Sequence, residues 1–228
     1  MPEINRHYAY FNMQVFDLTH TLENGMPVYP GSSPVQMHKK AGIAADGYDE
    51  TWLQLSVHAG THIDCARHFL PDGYDTGGSS ADRFAGWGLV IDSRRDAGDT
   101  VISPFYLQRW EKELEQVDFL LLHTGWSRYW GTPGYFTGFP FFEPEAARYL
   151  TRFGLKGIGI DAVSFDPVDS NDFTNHHILL SSGIVLVENL TNLGDLPENG
   201  FLFCCFPLKI KDGDGSPVRA VGIILSDE

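Results

Sequence analysis

The sequence predicts a mixed α/β fold with more strands than helices, and three observations lead there. Six apolar runs have strand length and carry β-branched or aromatic side chains. One further segment alternates apolar and polar residues, as a half-buried strand does. Only three segments have readable helix ends. A doubly wound fold pairs each strand with a helix, so a mixed sheet with fewer helices fits better.

The alternating segment comes first, from Thr51 to Val57, and the apolar run Trp87 to Ile91 follows it. Ser103 followed by Pro104 opens a helix running toward Gln116, because proline lacks only an N–H that a first helical turn leaves unpaired. Val117 to Leu122 is the next strand. Glu143-Pro144 opens a second helix that Gly154 closes, and Gly157 to Ile160 is the strand after it. Asn175 is expected as the N-cap of a short third helix that stops before Gly183. Ile184 to Val187, Phe201 to Phe206 and Val218 to Leu225 complete the strands. No repeat, low-complexity tract or linker divides the chain, so one domain over residues 1–228 is expected.

Composition excludes several classes. The 228 residues are 43% hydrophobic and 20% charged, ordinary for a globular protein and unlike a disordered or fibrous one. Sixteen Lys and Arg against 30 Asp and Glu leave a net charge of −14, which argues against a nucleic-acid partner. Cys65, Cys204 and Cys205 form no disulfide framework, so a reducing compartment is expected. The N-terminal residues MPEINRHYAYFNM carry no apolar signal core. The longest apolar stretch, near Phe201 to Leu208, is far short of the roughly 18 to 20 residues that span a bilayer. A cytoplasmic protein without a membrane partner is expected.

The chemistry concentrates in Ser56 to His68, where His58, His62 and His68 surround Asp64. Imidazole and carboxylate are the donors that divalent transition metals accept. On an α-helix Asp64 would sit about 200° round from His62 and point away. On a straight strand His58 and Asp64 would lie about 20 Å apart at ~3.3 Å per residue, too far for one ion. The chain must therefore bend, and Gly60 is the residue that permits it. His176, near the start of the third helix, and Glu188, at the end of the strand after it, are expected to return to the same place.

The count is then three imidazoles, His58, His62 and His176, and two carboxylates, Asp64 and Glu188. One catalytic zinc usually takes fewer protein ligands, so one or two ions are possible, with Asp64 as the bridge if there are two. Such a centre would polarise a carbonyl and make a nucleophile from water. His68 is either the general acid or base, or a further ligand; His177 has no assigned role. Cys65 is expected to be a packed side chain beneath the loop. There is no Gly-x-Ser-x-Gly elbow, no Gly-rich phosphate loop and no Cys-x-x-Cys.

These residues resemble the cyclase family of metal-dependent hydrolases, whose members include kynurenine formamidases and isatin hydrolases. The resemblance runs over about residues 15–225. It is carried by Asp17-Leu-Thr-His-Thr-Leu22 with Gly25-Met-Pro-Val-Tyr-Pro-Gly31, and by His58-x-Gly60-Thr61-His62-x-Asp64-x-x-x-His68. Gly159-Ile-Asp161 with Asp166-Pro167, His176-His177 with Glu188, and Pro207-Leu-Lys209 with Ser216-Pro-Val-Arg219 extend it. It implies a swivelling β/β/α architecture and metal ligands at His58, His62, Asp64, His176 and Glu188. It also implies His68 as catalytic acid or base and a homodimer or homotetramer. Zinc is the expected ion for formamidase-like members and manganese for isatin-hydrolase-like ones.

The implied reaction is hydrolysis of a non-peptide C–N bond in a small molecule, an arylformamide or a cyclic amide, with lactone or polyketide-type chemistry as the alternative. A metal-stabilised binding protein without chemistry is the alternative of another class. Tyr29 lies where formamidase-like members often place a tryptophan, which implies contact with an aryl group. Cys65-Ala66 stands where the family usually has Ala-Pro, so the turn before His68 lacks the rigidity of a proline.

Overall fold

Thirteen strands are assigned in the computed structural model, which describes residues 11–94 and 100–227. The stretch read above for a signal core therefore lies mostly outside the described residues. Nine strands form one sheet in the order β1-β13-β11-β5-β7-β9-β10-β4-β12. They are β1 (Phe11–Asp17), β13 (Val221–Asp227), β11 (Phe201–Cys204), β5 (Ala85–Asp92), β7 (Phe119–His123), β9 (Gly157–Ile160), β10 (Val185–Glu188), β4 (His62–Asp64) and β12 (Gly215–Pro217). The central strands β5, β7, β9 and β10 run parallel and the flanks antiparallel. The mixed sheet with more strands than helices is thus what the chain forms.

The parallel strands are buried on both faces, which explains their unbroken apolar runs. In β7 every residue is buried, and the side chains alternate between two clusters. Leu120 and Leu122 join the core that holds Leu150 and Leu179, while Phe119 and Leu121 join Val187, Phe201 and Phe203. The helices are α1 (Ile43–Asp46), α2 (Pro104–Leu107), α3 (Glu111–Leu114), α4 (Pro144–Leu150) and α5 (Thr174–Ser181). Leu150 ends α4 and Leu179 lies in α5, so these two helices cover the first of those faces.

Three elements differ from the sequence reading. The helix expected from Ser103 to Gln116 is α2 and α3 separated by a 3-10 turn at Gln108–Trp110, because Trp110 at φ −112° and ψ 16° leaves the helical region. The segment expected as a half-buried strand is β3 (Glu50–Gln54), which pairs only with β2 (Gln36–Ala41) in a separate hairpin and is exposed at every position. Its alternation follows no core face; Trp52 is 57% exposed and Leu53 50%. The last apolar run divides, since Val218 to Ala220 lies between β12 and β13. The remaining pair, β6 (Val101–Ile102) with β8 (Phe141–Phe142), forms a short parallel bridge beside α2 and α4.

Two sequence motifs have structural explanations. Asp17, at the end of β1, accepts hydrogen bonds from Arg219 Nε at 2.8 Å and Nη2 at 2.6 Å, tying the first motif to the last. Asp161, fully buried after β9, accepts from the backbone N–H groups of Thr124 and Gly125 and from the Thr124 hydroxyl, which fixes the turn leaving β7. Among the described residues no helix is long and apolar enough to cross a membrane.

Candidate active site

Glu188 and His62 face each other across the antiparallel pair β10 and β4, and Leu186 faces Asp64 in the same register. Such cross-strand neighbours lie about 5 Å apart at Cβ, so two candidate ligands meet by strand pairing alone. His62 and Asp64 are two residues apart on β4 and share one side of it. His58 precedes the strand in a turn. The bend falls at Gly60, as the spacing requires: its φ is +67°, and a Cβ there would meet Leu22 Cδ2 at 2.9 Å.

The other contributor is α5. Its N-cap is Phe173, at φ +43° and ψ 46°, and not Asn175, which is buried at the second position of the helix. The expected Asn cap fails because its role is filled from another segment. Asp166 accepts from the backbone N–H of Asn175 at 2.9 Å and of His176 at 3.1 Å, satisfying the first turn and adding negative charge where the helix dipole favours it. The Asn175 amide instead donates to the carbonyls of Phe142 and Phe165. His177 is exposed and turned from the cluster, its ring packed edge-on against Phe69.

His62 and His176 each have one nitrogen tied down. His62 Nδ1 donates to the Gly60 carbonyl at 2.8 Å, leaving the Nε2 lone pair 3.4 Å from Asp64 Oδ1 and 3.5 Å from Glu188 Oε2. His176 Nδ1 donates to Asp166 Oδ2 at 2.6 Å, leaving Nε2 3.5 Å from Asp64 Oδ2 and 3.2 Å from Glu188 Oε1. Glu188 Oε1 is buried and has no aligned hydrogen-bond partner. Lone pairs converging on two buried carboxylates are repulsive unless a cation or a proton sits among them, which is the donor arrangement that fits a divalent metal.

Two overlapping groups satisfy metal-ligand geometry among the described residues, His58 with Asp64 and His68, and His62 with Asp64 and Glu188; in each, one donor atom per residue lies within 4.8 Å of the others. Asp64 belongs to both. Without metal, protons fill the gap. Burial works against charge on His58, but the Asp64 carboxylate 2.7 Å away and Asp214 beyond it outweigh that and hold His58 up at about 9. Burial opposes charge on His176 too, yet Asp166, Asp64 and Glu188 raise it well above the usual imidazole range. Asp64 is held well below the carboxylate range by His58, His176 and His62, against burial. His68 differs: burial lowers its pKa, and its ring lies 4.0 Å from that of His58.

His58, His62, Asp64, His68, His176 and Glu188 line one cavity of about 360 Å³. Its far walls are aromatic, with Tyr29, Phe69, Trp130, Tyr135, Phe136 and Phe173. Tyr29 donates its hydroxyl to the Val168 carbonyl at 3.3 Å, which holds the ring at the cavity edge. Trp130 is backed by His20, stacked at 4.0 Å and 6° between planes and kept neutral by burial with a pKa of about 4. Tyr135 is fully buried and donates to Asn189 Oδ1 at 2.7 Å, while Asn189 Nδ2 donates to the Gly60 carbonyl that orients His62.

The structure thus brings His58, His62, Asp64, His68, His176, Glu188 and Tyr29 to one cavity. Sequence reasoning missed the roles of Asp166, Asn189, Asp214 and the aromatic wall. Asn189 lies 127 residues from His62 and Asp214 156 from His58, so no local spacing reveals them, and the step of 10 residues from Asp166 to His176 follows no helix or strand repeat. Cys65 is buried as expected, and burial pushes its thiol up to about 12.

The Cyclase family model matches residues 16–167. A kynurenine formamidase of Bacillus cereus is 30% identical over 208 residues, covering 90% of this chain and 95% of that protein. The solved structure of isatin hydrolase A from Labrenzia aggregata, bound to benzyl benzoate, is similar with a TM-score of 0.83 and 27% identity, covering 95% of this chain and 94% of that one. A predicted metal-dependent hydrolase from Bacillus stearothermophilus has a TM-score of 0.76 and 25% identity over 93% of this chain and 98% of that one.

Proposed function

We propose, since the chain belongs to the Cyclase family, that its hydrolytic centre cleaves the C–N bond of an arylformamide or cyclic amide of a small molecule with the help of a divalent metal. The observation that carries this reading is the convergence of His62 Nε2, His176 Nε2, Asp64 and Glu188 beneath an aromatic-walled cavity. The names of its relatives support the amide class. His58, His62, Asp64, His176 and Glu188 would hold the metal. Zinc is the ion we favour, with manganese second.

The chemistry that a divalent cation would supply there is polarisation of the scissile carbonyl and a nucleophilic water near neutral pH. The chain supplies the rest. Trp130, Phe136 and Phe173 give an apolar seat for an aryl group and exclude water around the reacting bond. Tyr29 closes one side of that seat. His68, its pKa lowered chiefly by partial burial, takes a proton from the attacking water and returns it to the departing nitrogen, so protons balance over one turnover. Exposed apolar side chains of the β2–β3 hairpin, Trp52 and Leu53, support a homodimer or homotetramer as the working assembly.

N-formylkynurenine and isatin, assayed on wild type and two variants, test the proposal. His62→Ala is expected to lose metal and turnover together. His68→Ala is expected to keep its metal and lose about 10²–10⁴-fold in kcat, the range of a general acid or base. Full turnover in metal-free His62→Ala, or unchanged kcat in His68→Ala, contradicts the roles given to those residues.

A further inference from the structure

We propose that Asp214 is a positioning residue for the centre, holding His58 with its other nitrogen turned to Asp64 and tethering His68 through the same carboxylate oxygen. The proposal rests on the reading of these histidines as a metal-dependent centre.

The geometry is specific. Asp214 Oδ2 lies 2.9 Å from His58 Nε2, in hydrogen-bond alignment, and 3.4 Å from His68 Nδ1. His58 Nδ1 faces the other way, 2.7 Å from Asp64 Oδ1. An imidazole that gives a lone pair to a cation keeps a single N–H, which needs an acceptor. For His58 that acceptor is Asp214, and the nitrogen left for a cation is the one beside Asp64. The neighbouring histidines follow the same rule, with the Gly60 carbonyl on His62 and Asp166 on His176. Asp214 completes the set, and one of its oxygens lies within 3.4 Å of both His58 and the proposed proton carrier His68.

The turn that carries Asp214 is built to present it. Asp212 sits at φ +56°, and the Asp214 carbonyl accepts from the Cys65 N–H at 2.8 Å, pinning the turn to the strand that bears Asp64. Gly215 pairs with Asp64 in the β12–β4 register. A Cβ on Gly215 would meet the Ile63 carbonyl oxygen at 2.6 Å and His58 Cε1 at 2.7 Å. The His58 ring therefore lies against bare backbone, within reach of Asp214, where a larger residue would displace it. Asp214 is 42% exposed at its side chain, so it closes the solvent side of the pair rather than the cavity side.

Co²⁺ titration of the metal-free chain against a chromogenic chelator tests this without substrate, on wild type, Asp214→Ala and Asp214→Asn. Asp214→Ala is expected to bind more weakly by about 10–100-fold, the usual loss on removing a carboxylate behind a ligand histidine. Asp214→Asn, whose amide oxygen still accepts from His58 Nε2, is expected to recover most of that loss. In turnover at saturating metal, Asp214→Ala is expected to lower kcat with KM within twofold. Affinity and kcat both within twofold of wild type overturn the proposal, and so does an equal loss in Ala and Asn, which marks a merely structural role. A wild-type chain that binds Co²⁺ but hydrolyses no amide defeats the hydrolase reading, and the titration still decides Asp214. A wild-type chain that takes up no Co²⁺ overturns both.

Discussion

Protons and a metal compete for the same atoms at His58, and the competition sets a pH dependence. With its pKa raised to about 9 in the folded metal-free chain and at 6.5 when unperturbed, the proton on His58 contributes stability that is fully present below 6.5 and lost as pH rises toward 9. His176 is shifted the same way. His20 and His68 are shifted down, so their effect falls below 6.5, outside this window. The melting temperature of the metal-free chain is therefore expected to fall between pH 6.5 and 9, and that of the metal-loaded chain to stay flat, because the cation replaces those protons. Scanning calorimetry in chelator checks it; a metal-free melting temperature that rises over this window contradicts the assignment. Much of this site was legible in the sequence. Four donors within eleven residues and a glycine at the bend are a local signal, whereas Asp214 lies 156 residues from His58 and nothing in the sequence near either points to the other.

Elements carry the site through their ends and pairings. α5 presents His176 because Asp166 closes its first turn, so Asp166→Ala leaves two buried N–H groups and an imidazole N–H without an acceptor. That is expected to cost about 1–3 kcal/mol of stability and about 10–100-fold in metal affinity. Urea unfolding with a parallel metal titration measures both, and an effect on neither contradicts the cap. The turn after β4 offers the opposite case. Cys65 is extended at ψ 162°, Ala66 begins a 3-10 turn, and among the described residues its N–H has no acceptor, so a proline suits the backbone there. Ala66→Pro is expected to raise stability by about 0.4–1 kcal/mol by restricting the unfolded chain. A drop in melting temperature contradicts this and means that the buried pocket around Ala66 cannot take the ring. Central strands were readable because burial on both faces leaves a continuous apolar run. The exposed hairpin and the broken helix after Ser103 were not, since alternation appears equally on a two-stranded ribbon and a single residue, Trp110, decides the break.

At the scale of the whole molecule, one sheet gathers the centre from distant parts of the chain. The central parallel strands end in β10, which lays Glu188 beside His62; β12 on the far edge brings Asp214; and α5 crosses over to deliver His176. The mixed fold was legible from the ratio of strands to helices, but the strand order was not. The pairing of β4 between β10 and β12 joins segments more than a hundred residues apart, and three residues of β4 carry no periodicity. A metal that binds only the folded state adds stability by mass action, about 2.7 kcal/mol at a hundredfold excess over its dissociation constant. Loss of metal is therefore expected to reduce turnover and stability together. The most direct test of the central claim is stepwise reconstitution of the metal-free chain with zinc or manganese, following bound metal per chain and N-formylkynurenine or isatin hydrolysis on the same samples. The account predicts that activity rises from nothing and saturates at one or two ions per chain. Hydrolysis that is undiminished in the metal-free chain, or no metal retained at any concentration, would contradict it.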